Sequence, residues 1–200
     1  RKAVEALRAT KAGVVGGVWQ IVPDGSDRVA EAIARAVAHP IGAGDAIYRT
    51  SRTTGDRTEV DTVPFGCFRK STWEKLGGLN EALLTNEDYD FNYRVRASGS
   101  TVVLDRDIRC GYFARRSLSE LAKQYFRYGW WKGQMLKSHP RSFRWRQAVP
   151  AALVPTFAIL AAMGLVAPAA LLLVGGLAAA YFATLMWAAA QIAREERRWD

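Results

Sequence analysis

From Ala148 to Ala193 the chain carries no Asp, Glu, Lys, Arg or His, an uncharged run of 46 residues. One membrane span needs roughly 20 apolar residues, so the run fits two spans joined by a short turn. The break falls at Ala167-Pro168, because proline has no N–H with which to continue a helix. The expected spans are residues 148–166 and 169–192, with a short tail over 194–200. This run argues against an ordinary soluble protein, although one long buried hairpin would leave the same pattern. It is no signal peptide, being C-terminal in a chain that opens Arg-Lys.

Charge placement sets an orientation. Between Arg106 and Arg146 there are 11 Lys/Arg against 2 Asp/Glu, an excess equal to the net charge of +9 for the whole chain. Arg194, Arg197 and Arg198 follow the second expected span. Both flanks are basic and the turn is uncharged, so the positive-inside rule puts the flanks in the cytoplasm. Residues 1–147 then form a cytoplasmic domain held on the membrane by a C-terminal hairpin. A basic chain can also bind nucleic acid, but here the positive charge gathers beside the spans, which argues against that partner. Cys67 and Cys110 are too few for a disulfide scaffold and read as reduced thiols. The absent initiator Met and the helix-like start read as a fragment.

Helices alternate with short strands over the first half, which implies an α/β sheet layer. Helices are expected over Ala3–Thr10, Asp27–Ala38, Ser71–Leu76 and Glu87–Ser98, with Ser71 or its neighbours capping the third. Strands are expected over Gly13–Val22, Val60–Phe65 and Thr101–Leu104, with a further extended piece over Ile108–Phe113. Asp105-Arg106-Asp107 reads as a turn between the last two. Pro40–Gly55 reads as a loop. Gly16-Gly17 inside the first strand marks a close backbone approach. Cys67, Trp19 and Trp73 read as packing residues, and His139-Pro140 as a turn before the first span. His39 and His139 lie too far apart, and too isolated, for a zinc site.

Leu118, Leu121, Ala122, Tyr125, Phe126, Gly129, Gly133 and Leu136 share one helical stripe. Glu120, Lys123, Gln124, Arg127 and Lys137 occupy the other side. With Trp130 and Trp131, the segment 115–147 reads as an amphipathic helix lying in a lipid headgroup layer. An ordinary surface helix is the alternative.

The densest chemistry lies in Thr85-Asn86-Glu87-Asp88-Tyr89-Asp90-Phe91-Asn92-Tyr93-Arg94. Asp88, Phe91 and Val95 are spaced 3 and 4, so Asp88 shares the core-facing side of a helix start. A carboxylate there can accept a proton from a substrate hydroxyl, and the helix N-terminus favours its ionised form. Thr85 and Asp88 also fit a capping box. Asp90 and Arg94 read as a surface pair one turn apart.

Together with Val63-Pro64-Phe65-Gly66-Cys67-Phe68-Arg69-Lys70, Leu76-Gly77-Gly78-Leu79-Asn80-Glu81, Arg94 and Gly99, this segment resembles the acceptor half of family 2 glycosyltransferases. The segments Gly42-Ala43-Gly44-Asp45-Ala46-Ile47-Tyr48-Arg49 and Gln124-Tyr125-Phe126-Arg127-Tyr128-Gly129 look like the membrane-bound, succinoglycan-type exopolysaccharide subgroup. The resemblance implies the acceptor half of a GT-A-like α/β domain over 1–114, an interface helix over 115–147 and a transmembrane hairpin over 148–193. It implies inverting transfer from a nucleotide-sugar to a lipid-linked glycan, with Asp88 as the general base and Glu87 beside it.

Gln124-x-x-Arg127-Tyr128 is similar to the family's Q-x-x-R-W motif, with Tyr128 in place of Trp. The resemblance makes Gln124, Arg127, Trp131 and Arg116 substrate-binding candidates. Arg127 and Arg116 could equally face anionic lipid. A magnesium or manganese ion is expected for the full-length enzyme, held by a D-x-D motif upstream of Arg1. The rival reading is a non-catalytic membrane protein whose basic domain binds anionic lipid or a protein partner.

Overall fold

A computed structural model describes residues 1–44, 46–50 and 56–196. The chain forms two compact units, Arg1–Phe143 and Arg144–Asp200. In the first, a four-stranded sheet has the order β2-β4-β1-β3, built from β1 Val14–Val22, β2 Arg57–Glu59, β3 Cys67–Phe68 and β4 Val102–Phe113. β1 and β4 run parallel, and the two short strands pair antiparallel on the outside.

β1 alternates its side chains between two helical layers, as a buried strand must. Val14 and Val18 join Phe91 and Val95 of α6 (Glu87–Ala97), together with Val63, Val102 and Leu104. Val15 faces the opposite way and packs with Ala6 and Leu7 of α1 (Lys2–Thr10). The far end of the sheet is covered by α2 (Arg28–Ala38), which buries Ile33, Ala34 and Val37 against Ala114. Asp27 caps α2 by accepting from the Val29 and Ala30 amides at 3.0 and 2.9 Å. The Ala30 amide chiefly holds the Asp27 carboxyl below its ordinary pKa.

Several expectations need correction. The strand expected over Val60–Phe65 is irregular, and pairing occurs on either side of it, at β2 and β3. Pro64 offers no N–H to a ladder. Val63 is instead driven fully under cover against Gly16, and Asn92 ties the loop down by donating to Thr62 Oγ1 at 2.9 Å and the Val63 carbonyl at 3.0 Å. The two extended pieces after Gly99 are one strand, β4, and Asp105-Arg106-Asp107 belongs to a bulge in it. Gly17 pairs with Asp105 and the next residue, Val18, with Arg109. Arg106, Asp107 and Ile108 are thereby looped out of the ladder. The region expected as a loop contains α3 (Pro40–Ala43) and α4 (Ile47–Thr50); Asp45 and residues 51–55 lie outside the described residues. Arg69, not Ser71, occupies the N-cap of α5 (Lys70–Lys75), which ends at Gly77-Gly78, both at φ 74.

The close approach at Gly16-Gly17 is confirmed. A Cβ on Gly17 would run into the Ile108 carbonyl in the bulge, and one on Gly16 into Val63. Backbone cannot rotate away as a side chain can. Gly17→Ala is therefore expected to lose about 1–3 kcal/mol of stability or more. Denaturant unfolding of the variant beside wild type checks this; an unchanged midpoint would contradict the close approach.

α7 (Leu118–Ser138) belongs to the first unit and corrects the expected stripe. Its packed side runs through Leu121, Gln124, Tyr128 and Met135, with Gln124 and Met135 buried. Phe126, on the expected apolar stripe, is 74% exposed.

The second unit holds α8 (Trp145–Gly164) and α9 (Ala169–Glu196). Both are long and apolar enough to cross a membrane, with mean hydropathy of 1.6 over Gln147–Gly164 and 2.0 over Ala169–Glu195. The break at Ala167-Pro168 is where the sequence puts it. Arg197 and Arg198 lie outside the described residues.

Candidate active site

α6 opens at Asn86, held at φ 70 by its place at the turn and by a bond from its Nδ2 to the Tyr128 carbonyl of α7 at 3.2 Å. The capping-box reading is overturned. The Thr85 hydroxyl donates to the Leu84 carbonyl at 2.8 Å, and Asp88 Oδ1 accepts from the amide of Tyr89 at 2.7 Å. With three acids in its first turn and Arg94 and Arg96 in its last, α6 still complements its own dipole.

The inward carboxylate of α6 is not Asp88 but Asp90, which is 1% exposed. Its Oδ2 accepts from Arg94 Nε at 2.8 Å, and His139 Nε2 lies 3.1 Å from Oδ1 without a hydrogen bond to it. Arg94 in turn donates to the Leu76 and Gly78 carbonyls at 2.6 and 2.7 Å. The expected surface pair is thus an interior clamp that holds the turn between α5 and α6, with His139 at the end of α7 beside it.

Asp88 sits in a crowded recess that stays open to water. Crowding by protein atoms is the main reason its carboxyl is pushed above the ordinary value of 3.8, helped by the negative charge of Glu87. The Tyr89 amide and Arg49 pull the other way without prevailing. The helix N-terminus therefore does not lower this group overall, contrary to expectation. A carboxylate whose affinity for protons is raised is a better base, and Tyr48 and Arg49 lie within its electrostatic reach.

Those groups form an aromatic wall. Trp19 of β1 stacks on Tyr112 of β4 at 4.0 Å between centroids and 3° between planes. Tyr48 of α4 meets Trp19 edge-on at 5.0 Å, and Phe65 lies at 6.2 Å. Arg49 holds its guanidinium carbon 5.0 Å from the Trp19 ring centre and 5.7 Å from that of Tyr48. Gln124 donates through Nε2 to the hydroxyls of Tyr112 and Tyr128, at 2.8 and 2.7 Å. That explains how an amide on the presumed outer side of α7 can be buried without cost. Burial raises the pKa of the Tyr48 and Tyr128 hydroxyls, so both remain protonated donors at neutral pH.

Gln124 and Arg127, expected in one row, part company. Gln124 faces the tyrosines, whereas Arg127 is exposed and lines a hollow of about 340 Å³ with Phe126, Trp130 and Trp131. Trp131 also borders a second hollow of about 390 Å³ with Asn80, Leu83 and Lys137. Arg116 is 3.7 Å from Asp27, at the start of α2. The structure thus brings Asp88 and Tyr128 within electrostatic reach of Arg49, with Glu87 beside Asp88 and Tyr112 joined to Tyr128 through Gln124. Arg127, Trp131 and Arg116 lie elsewhere on the unit. Tyr48-Arg49 carries no role in the sequence alone; its one local clue is an aromatic beside an arginine. Among the described residues no three of His, Cys, Asp and Glu converge as a metal site. Asp105 is already paired, with Arg57 at 2.8 Å.

No curated protein and no solved structure matches the chain. The sequence model of glycosyl transferase family 21 matches residues 65–199, which span α5, α6, β4, α7 and both apolar helices. The match supports sugar transfer at the family level and does not support the family 2, succinoglycan-type subgroup that the motifs resemble. It covers about two thirds of the chain, and the chain belongs to glycosyl transferase family 21.

Proposed function

We propose that the protein transfers a sugar, with inversion, from a nucleotide-sugar to a hydroxyl on a lipid-linked glycan at the cytoplasmic face of a bacterial inner membrane. The observation that carries this is Asp88, a carboxylate of raised proton affinity in an open recess, within a chain of a glycosyltransferase family. In this reading Asp88 takes the proton of the acceptor hydroxyl as its oxygen attacks the anomeric carbon. The bond from that carbon to the diphosphate breaks, and its electron pair leaves with the diphosphate. Glu87 lies beside the base and raises its proton affinity. The phenols of Tyr48 and Tyr128, kept protonated by burial, supply donors along the wall of the site.

The two apolar helices support a membrane-held acceptor, as do the exposed Phe126 and Trp130 of α7. An exopolysaccharide role rests on the family 2 resemblance alone. Among the described residues no magnesium or manganese site is assembled, and the steps above are those of the chain's own side chains.

The test offers a panel of labelled nucleotide-sugars, with a bacterial lipid extract, to membranes carrying the full-length protein. Label recovered in the lipid phase is the expected result. Anionic-vesicle binding without transfer from any donor would favour the non-catalytic reading instead.

A further inference from the structure

Among the described residues Arg49 is a cation without an anion. It stands on α4 between two rings, with its Nε sealed from water and unbonded. Among the described residues no carboxylate lies within ion-pair distance of it. Arg57, Arg94 and Arg116 each have one. Burial works against its charge, but a guanidinium keeps its proton at neutral pH, and the Tyr48 hydroxyl lies beside it. Holding a guanidinium in such a place costs free energy unless a ligand supplies the missing oxygens.

The surroundings select the ligand. The cage keeps the guanidinium plane in place through Trp19 and Tyr48, and Tyr125 anchors its side by donating to the Gly42 carbonyl at 3.1 Å. A planar fork fixed in this way matches the oxygens of a phosphate, which it can grip with two parallel bonds. Asp88 is within its electrostatic reach, so a bound anion would lie beside the base. Arg127 faces the outer side of α7 and does not share this position.

We propose that Arg49 is a binding residue for the diphosphate of the donor, and that it takes up the charge this group gains as it leaves the sugar. The assignment rests on the sugar-transfer reading for its ligand. As the glycosidic bond to phosphate breaks, the diphosphate departs with the bonding pair and gains one negative charge, which the guanidinium neutralises without a proton moving. The same cation favours the ionised form of Asp88, so base and leaving-group site are coupled through one side chain.

The probe is inorganic pyrophosphate, titrated calorimetrically into the detergent-solubilised full-length protein. Arg49→Gln is expected to weaken binding by about tenfold or more, the scale for removing one partner of a charged hydrogen-bonded contact. Arg49→Lys, which keeps the charge but not the fork, should fall between. Arg127→Gln, on the outer face of α7, should bind like wild type. Thermal unfolding of each variant separates lost binding from lost fold. Wild-type binding that is undetectable at millimolar pyrophosphate would overturn the assignment. So would a folded Arg49→Gln variant that binds as tightly as wild type. Sugar transfer plays no part in this readout: pyrophosphate bound through Arg49 in a protein that transfers no sugar would sink the proposed activity and leave the anion site standing.

Discussion

Asp90→Ala is expected to destabilise the first unit by about 3 kcal/mol or more, the scale for leaving one half of a buried ion pair alone. Asp90 is 1% exposed, and its loss strands Arg94, whose side chain is only 20% exposed. The damage spreads because Arg94 also carries the Leu76 and Gly78 carbonyls, which close the turn after α5. Asp90→Asn retains an oxygen for Arg94 and should lose less. Denaturant unfolding of the three proteins in detergent checks the order. An Asp90→Ala variant within about 0.5 kcal/mol of wild type, the usual range for a surface change, would return the pair to the surface.

This clamp also shows where sequence reading stops. The spacing of Asp90 and Arg94 is local and visible. Their depth is not, because it is set by two carbonyls in the preceding turn and by a histidine 49 positions on. Phe91 and Val95 were legible as core because apolar residues at helical spacing have one place to go. The glycine pair in β1 was legible too, although its partners, Val63 and the bulge at Ile108, were not.

The bulge matters most for the site. It sets the register that brings Tyr112 over Trp19, and no local pattern encodes a three-residue loop-out. Gln124 was assigned to the outer side of α7 because it is polar. Two half-buried hydroxyls, one from another element, reverse that. Arg49 escaped for the same reason, since its cage is assembled from β1 and α4 with α7 close by. The two apolar helices required no tertiary information at all.

The second large effect falls on Asp88, and its sign can be worked out. The folded state raises its pKa, so the folded protein binds that proton more tightly than the unfolded chain does. Stability from this group is then lost as pH climbs from the ordinary 3.8 through the raised value. At neutral pH the ionised carboxylate costs stability, and Asp88→Asn should unfold no earlier than wild type. Activity has the opposite dependence. A base must be ionised, so the acid limb of kcat/KM should lie above the ordinary carboxylate range and vanish in a variant that no longer uses this group.

The most direct measurement is sugar transfer by membranes carrying the full-length protein, wild type against Asp88→Asn, at matched expression and neutral pH. Transfer reduced about a hundredfold or more, with the variant folded, is the result expected from losing a general base. Transfer retained at the wild-type rate would contradict the assignment of Asp88 and move the base to another residue.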